Sequence, residues 1–372
     1  MENLVGMFGE FYEGRRVLVT GHTGFKGAWL CLWLRLLGAR VSGFSLPPPT
    51  HPSLYELLEP ADFEHERIAD VRNFDALAQT LRQTQPEVVF HLAAQSLVRR
   101  SYREPLETFV VNALGTAHLL EALRQMESPA AVVVVTSDKC YENQGWDYGY
   151  REGDPLGGHD VYSMSKGAAE LVTQAWRRSF FETHPALGPV ASARAGNVIG
   201  GGDYAEDRLI PDCVRALIQE RPIGIRNPAA TRPWQHVLDC LSGYLWLGAR
   251  LAQGGRPNPL ATAFNFGPGP LANVPVQQVV ELFLQHWPGQ WQRLQETAPP
   301  KEAPLLNLTI DKAVRLLDWQ PVWNLDDAVA HTARWYYQRH VARHPQMAAW
   351  SREQIHQYCA DAAARGAAWT RA

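Results

Sequence analysis

The sequence predicts an α/β fold in which a doubly wound parallel sheet is followed by a smaller, mixed C-terminal substrate-binding domain. Three observations carry this expectation. Short runs rich in Val, Ala and Ile alternate with helical patterns through the first half of the chain. A glycine-rich turn joins the first such run to the first helical stretch. After Asn197 the alternation gives way to glycine-rich and proline-rich segments. Strands buried on both faces read as continuous apolar runs, and parallel neighbours need a helix in each crossover. The predicted units are residues 1–196 and 197–372, with the chain crossing back to the first unit around residues 232–268.

The first strand is RRVLVT, ending at Thr20, and a helix runs from about Gly24 to Gly38, where glycine supplies a stop. VSGF follows as the second strand. Further strands are predicted around Ile68, over EVVFHLAA (Glu87 to Ala94), over AVVVVTS (Ala131 to Ser137) and over VASARA (Val190 to Ala195). Pro105 opens one long helix, LETFVVNALGTAHLLEALRQM, and Val161 to Phe181 forms another. The second unit reads as loops and helices, with a turn at Gly200 to Gly202, prolines clustered at 222–233 and 257–275, and an amphipathic packing helix from Leu325. Asn265-Phe266-Gly267-Pro268 fits either a return to a ligand cleft or a plain turn. Pro47-Pro48-Pro49 and the Ala-rich tail near Ala362 are expected at the surface.

At 372 residues, 46% hydrophobic and 20% charged, the chain has apolar material for one large and one small unit. A formal net charge of -3 argues against nucleic acid or an anionic membrane as the main partner, so any phosphate site must be built locally. Cys31, Cys140, Cys213, Cys240 and Cys359 are scattered, with neither CxxC nor zinc spacing, which suits a reduced cytoplasm and predicts no metal. The N-terminus has no basic-then-apolar leader, and no run approaches about 18 apolar residues, so a cytoplasmic, untargeted protein is expected.

Gly21-His22-Thr23-Gly24-Phe25-Lys26-Gly27 lies between strand and helix. In that context a glycine-rich turn brings backbone N–H groups against a pyrophosphate, the Rossmann-type arrangement. Gly21, Thr23, Gly24, Phe25, Lys26 and Gly27 are therefore expected to hold a dinucleotide. The carboxylate that would bind the adenosine ribose about 20 residues on is missing. Ser45 stands in its place and offers only a hydroxyl, which leaves NAD and NADP both open. Asp70-Val71, after the third strand, is placed to meet the adenine amino group, and Leu92-Ala93-Ala94 are small enough for a cofactor to lie close.

Ser137 ends the fifth strand, and Tyr162-Ser163-Met164-Ser165-Lys166 puts a phenol and an ammonium on one helix face. A tyrosine with a pKa of about 10 is a poor base at neutral pH. The Lys166 ammonium one turn away, with a nicotinamide cation, is expected to lower it.

TGHTGFKG, HLAAQS, the strand-end serine, YSMSK and RPWQHVLD together resemble the extended short-chain dehydrogenase/reductases that act on nucleotide sugars, over nearly the whole chain. Asp138-Lys139 stands where related dTDP-glucose and GDP-mannose dehydratases usually carry Asp-Glu and epimerases carry neither. With TSDKCYEN and NVIGGGDYAEDRLIPD, it resembles the CDP-glucose 4,6-dehydratase branch. The resemblance implies a lyase of deoxysugar biosynthesis using NAD. Tyr162 would take the 4-hydroxyl proton, Ser137 would hold that oxygen, Lys139 would act as base at C5 and Asp138 as acid for the departing 6-hydroxyl. It also implies substrate contacts from Gln95, Ser96, Asn197, Arg208 and Arg232, and a homodimer or higher oligomer through the helices holding Asn112 and Tyr162. An epimerase or decarboxylase of the same kind, and a non-catalytic dinucleotide sensor, are the alternatives.

Overall fold

Side chains alternate along each strand and divide the core in two. Val17, Val19, Val88, Phe90, Ala131, Val133, Ala191 and Ala193 face one layer, whereas Leu18, Val89, Val132, Val134 and Val190 face the other. This period of two on both faces is what a sheet covered by helices on each side requires. The computed structural model describes residues 4–58, 63–269, 272–294 and 305–371. The first three residues of the N-terminal stretch and residues 270–271 of the second proline cluster lie outside these.

Seven strands form the main sheet: β1 (Arg16–Thr20), β2 (Arg40–Ser45), β3 (His65–Ile68), β4 (Val88–His91), β5 (Ala131–Val135), β6 (Val190–Ala195) and β10 (Ala263–Phe266). Their order is β3-β2-β1-β4-β5-β6-β10 and every pairing is parallel. The order reverses direction between β1 and β4, and such switch points open a crevice at the C-terminal strand ends. A mixed sheet follows, β11 (Asn273–Pro275), β9 (Thr231–His236) and β7 (Asn197–Ile199), with a parallel pair of β8 (Ile223–Ile225) and β12 (Trp291–Arg293) beside it.

The helices are α1 (Phe25–Leu36), α2 (Leu54–Leu57), α3 (Phe74–Thr84), α4 (Val98–Arg103), α5 (Pro105–Phe109), α6 (Gly115–Gln125), α7 (Val161–Trp176), α8 (Leu209–Ile218), α9 (Val237–Gln253), α10 (Val276–Leu284), α11 (Asp311–Leu317), α12 (Leu325–His340) and α13 (Met347–Ala364). α1 and α9 contribute to one core layer, and α3 and α6 to the other.

Three differences from expectation matter. The strands predicted to reach Ala94 and Ser137 stop at His91 and Val135, because the residues beyond them turn into the crevice. The helix predicted as one rod from Pro105 is interrupted by a π-turn at Val110–Leu114; the extra residue turns the polar Asn112 inward. The tail near Ala362 is surface only in part: Ala363, Ala364 and Arg365 are exposed, whereas Ala362 and Trp369 are fully buried, and Trp369 stacks on Phe8 at 4.9 Å. The prolines at 47–49 are exposed or partly so, as expected.

α13 is fastened to α9 through polar groups. Asp239 Oδ1 accepts from the Val322 N–H at 2.7 Å and the Tyr358 hydroxyl at 2.8 Å, while its Oδ2 is buried without a partner. Burial raises this carboxyl to about 7. The folded chain therefore holds the proton more tightly than the unfolded one, and the stability Asp239 contributes falls as pH rises from about 4 to 7. Asp239→Asn keeps the accepting oxygen without the charge. Its stability is expected to match wild type in acid and exceed it above pH 7 by on the order of a few kcal/mol, read as a higher melting temperature there; a difference in melting temperature that does not change with pH would refute this.

Candidate active site

The crevice at the C-terminal ends of the strands is a cleft of about 2350 Å³. The turn after β1 forms its floor. Gly21 has φ +77° and its Cα lies so close to the next loop that a Cβ would sit 2.7 Å from the Ala93 nitrogen. A Cβ at Gly27 would sit 2.1 Å from the Gly21 carbonyl oxygen, so these two positions admit only glycine. Gly24 differs: it is the N-cap of α1 and provides no side-chain cap. The first N–H groups of a twelve-residue helix thus face the cleft, the chemistry a pyrophosphate needs. The turn fits a dinucleotide.

Thr23, Phe25, Lys26, Ser45, Asp70, Val71, Leu92, Ala93 and Ala94 also line the cleft. The Thr23 and Ser45 hydroxyls bond each other at 2.9 Å, so the cleft presents a neutral hydroxyl pair where the sequence lacks the ribose carboxylate. The Asp70 carboxylate lines the cleft with Arg72 beside it: two guanidinium nitrogens meet Oδ2 at 2.5 and 2.8 Å, and the Arg72 N–H donates to Oδ1 at 2.8 Å. That arrangement follows from an i,i+2 neighbour that the sequence displayed but whose direction it did not. Ser45→Asp restores the missing carboxylate. It is expected to tighten NAD roughly tenfold through charge-assisted bonds to the ribose hydroxyls, measured by calorimetry; unchanged or weaker NAD binding would exclude Ser45 from that role.

Ser137, Asp138, Lys139, Tyr162 and Lys166 all line the cleft, with the Tyr162 hydroxyl bonded to Ser137 and close to the Asp138 charge. Ser137 is the N-cap of a one-turn 3-10 helix, Asp138–Cys140, accepting from the Lys139 N–H at 3.2 Å and donating to Asp138 Oδ1 at 3.0 Å. Lys139 Nζ reaches the same oxygen at 3.4 Å. Asp138 is buried and its Oδ2 has no partner. Asp160 caps α7 through the Ser163 N–H at 2.9 Å and so fixes the start of the helix carrying Tyr162.

Burial raises the Tyr162 phenol to about 12, against a lowering bond from Ser137 and a lowering charge from Arg208. The lowering that was expected from Lys166 comes instead from these two, and in the protein alone desolvation wins. Burial, then the Lys26 charge, brings Lys166 down to about 8. Lys26 is itself lowered by burial and lies over the Tyr244 ring at 5.9 Å.

The substrate-side candidates separate. Asn197 opens β7 rather than closing β6; it lines the cleft, and its Oδ1 is buried with no protein partner among the described residues. Arg208, the N-cap of α8, donates to Asp203 at 2.9 Å and to the Ser96 hydroxyl at 3.1 Å, spanning the cleft. Arg232 lines the cleft and donates to the Thr231 carbonyl at 2.8 Å. Gln95 does not offer a free amide: its side chain bonds the Leu97 backbone at both ends and the Thr108 hydroxyl at 2.9 Å. It shapes the loop.

Asn112, Arg99 and Arg226 belong to this region but were not predicted as site residues. Asn112 Oδ1 accepts from the Gln95 N–H at 2.8 Å and its Nδ2 donates to Ser165, between Tyr162 and Lys166, at 2.8 Å. A lone asparagine within an apolar helix was the available signal. Arg226 and Arg99 converge on Asp207 at 2.9 and 3.7 Å, a pairing between distant segments that no local pattern announces.

The model for the family described as "NAD dependent epimerase/dehydratase family" matches residues 17–267. The chain belongs to this family. Its cofactor is NAD, and the open choice between NAD and NADP is resolved accordingly. Among curated relatives, a CDP-glucose 4,6-dehydratase of Salmonella typhimurium is 46% identical over 333 residues, covering 88% of this chain and 91% of the relative. A probable dTDP-glucose 4,6-dehydratase of Sinorhizobium fredii is 27% identical, covering 86% and 92%. Among solved structures, the dTDP-glucose 4,6-dehydratase DesIV of Streptomyces venezuelae, solved with NAD, superposes with a TM-score of 0.73 at 25% identity, covering 89% of this chain and 99% of that one. The resemblance drawn from Asp138-Lys139 and its flanking motifs thus agrees with overall similarity. Among the described residues no helix is long and apolar enough to cross a membrane.

Proposed function

We propose that this protein removes water from CDP-glucose to give CDP-4-dehydro-6-deoxy-glucose. The observation that carries the proposal is the placement of an Asp-Lys couple on a single 3-10 turn beside Ser137 and Tyr162, within one cleft. The turn of Gly21, Gly24 and Gly27 would hold NAD, which would supply a temporary store for the hydride exchanged between C4 and C6. Tyr162 accepts the 4-hydroxyl proton and Ser137 holds the oxygen that becomes the ketone. The ketone acidifies C5, where Lys139 removes the proton. Asp138 protonates the 6-hydroxyl, which leaves as water, and a proton returned to C5 closes the cycle with no net redox change. Asn197, Arg208 and Arg232 take the diphosphate end, guanidinium forks being suited to phosphate oxygens. The cytidine assignment rests on the 46% identity to the Salmonella enzyme.

The test is direct. The protein is incubated with CDP-glucose, dTDP-glucose and UDP-glucose, each with and without added NAD. A 4-keto-6-deoxy product from the cytidine substrate alone is expected. A hexose inverted at C4 with no loss of water would make the protein an epimerase, and no conversion at all would leave a dinucleotide sensor.

The assembly is proposed to be a homodimer. Leu106 and Leu171 are 74% and 54% exposed, and with Phe109, Leu114 and Met164 they place apolar side chains on the outer faces of α5, the π-turn and α7. Two copies meeting there through a two-fold axis would bury this surface in a four-helix contact. Sedimentation is expected to give a dimer for the native chain and a monomer for Leu106→Glu/Leu171→Glu.

A further inference from the structure

Arg194 lies inside β6, a strand buried on both faces, and is only 3% exposed. A guanidinium there needs a counter-charge and partners for its other donors. Glu170, equally buried, supplies the charge at 2.7 Å. It sits on α7 at i+4 from Lys166 and i+8 from Tyr162, so the three share a helix face.

Both ends of the 3-10 turn are tied to this pair. Thr136, immediately before Ser137, donates its hydroxyl to Glu170 Oε1. Tyr141, immediately after Cys140, accepts at its hydroxyl from Arg194 Nη1 at 2.8 Å. Glu170 Oε2 also accepts from Ser192 at 2.7 Å. The Tyr141 hydroxyl donates onward to Asn265 Oδ1 at 2.7 Å, and Asn265 Nδ2 donates to the Tyr150 carbonyl at 2.9 Å. The segment between the two anchors is Ser137-Asp138-Lys139-Cys140 and nothing else.

We infer that the buried Glu170–Arg194 pair is a positioning clamp: it sets Ser137, through Thr136, and Asp138-Lys139, through Tyr141, against the helix that carries Tyr162 and Lys166. This rests on the dehydration reading above, because only there do the two ends of the turn serve different steps. Ser137 serves hydride removal at C4. Asp138 and Lys139 serve the elimination. Releasing one end of the turn therefore slows one step in preference to the other, which a general loss of rigidity does not do. Rate is sensitive to such displacements, a shift of about 1 Å being worth up to roughly 100-fold.

Arg194→Met strands the Glu170 carboxylate in the core and is expected to unfold the chain, so the informative variants are Tyr141→Phe and Thr136→Val, each altering one hydroxyl. Both are compared with wild type in the full chain with NAD and CDP-glucose. Tyr141→Phe is expected to slow product formation roughly 10-fold to 100-fold, with solvent-deuterium incorporation at C5 falling in step and the isotope effect of a C4 deuterium shrinking toward unity. Thr136→Val is expected to slow turnover by a similar factor with the C4 isotope effect enlarged. Two variants that shift the isotope effect in the same direction, or that both match wild type, overturn the clamp. If the wild-type chain forms no keto-deoxy product, the dehydration reading fails first and the clamp falls with it, a result distinguishable because it needs neither variant.

Discussion

Tyr162→Phe is expected to lower turnover about 1000-fold, with NAD affinity changed far less. The phenol is buried and held up near 12 by desolvation, so in the protein on its own less of Tyr162 is phenolate near neutrality than in free tyrosine. Proton removal near neutrality therefore depends on positive charge brought to the cleft. Arg208 already acts on the phenol in that sense. Lys166 and Lys26 add two buried ammonium groups in the same cleft. Lys166, lowered to about 8, gives up its proton as pH rises through that value, so the alkaline limb of the wild-type rate profile is expected to break there. Initial rates of keto-deoxy sugar formation and calorimetric NAD binding check both points. A phenylalanine variant within tenfold of wild type would remove the phenol from the chemistry.

The sheet was legible because its strands leave little alternative: AVVVV and VLV have neither the length nor the period of a surface helix. Their ends were not legible. Thr136 and Ser137 extend an apolar run in the sequence, yet Thr136 turns to Glu170 and Ser137 caps the 3-10 turn, and only distant residues decide that. The same limit explains the clamp. An arginine inside VASARA announces a buried charge, and Glu170 on the Lys166 face of α7 announces another, but their pairing is a tertiary fact. The π-turn around Asn112 escapes periodicity because one extra residue shifts the helical phase only locally. The Ala-rich tail misled only in part: Ala363 and Ala364 are exposed, but Ala362 is buried and Phe8 and Tyr358 stack on Trp369, a tertiary contact that a run of small side chains does not announce.

Lys139→Ala is the second variant expected to have a large effect, about 100-fold or more on dehydration, and it separates two accounts of the Asp-Lys couple. If the couple were only a loop ion pair, its geometry should be closed around the buried Asp138 carboxylate, and its loss should cost stability rather than one chemical step. The geometry is not closed. Lys139 meets Asp138 at one long contact of 3.4 Å, its side chain is 29% exposed, and the second Asp138 oxygen is buried with no partner beside Gly196. A carboxyl with one oxygen in reserve and an amine held by one long contact suit a reacting hexose better than they suit each other. Lys139→Ala is thus expected to abolish solvent-deuterium uptake at C5 while hydride removal from C4, which needs Ser137 and Tyr162, stays measurable by isotope exchange. Asp138→Asn should block loss of the 6-hydroxyl yet permit exchange at C5, because the ketone still forms and Lys139 remains. A Lys139→Ala variant that keeps both wild-type turnover and C5 exchange would return the couple to the status of a loop contact and move the C5 base elsewhere in the cleft.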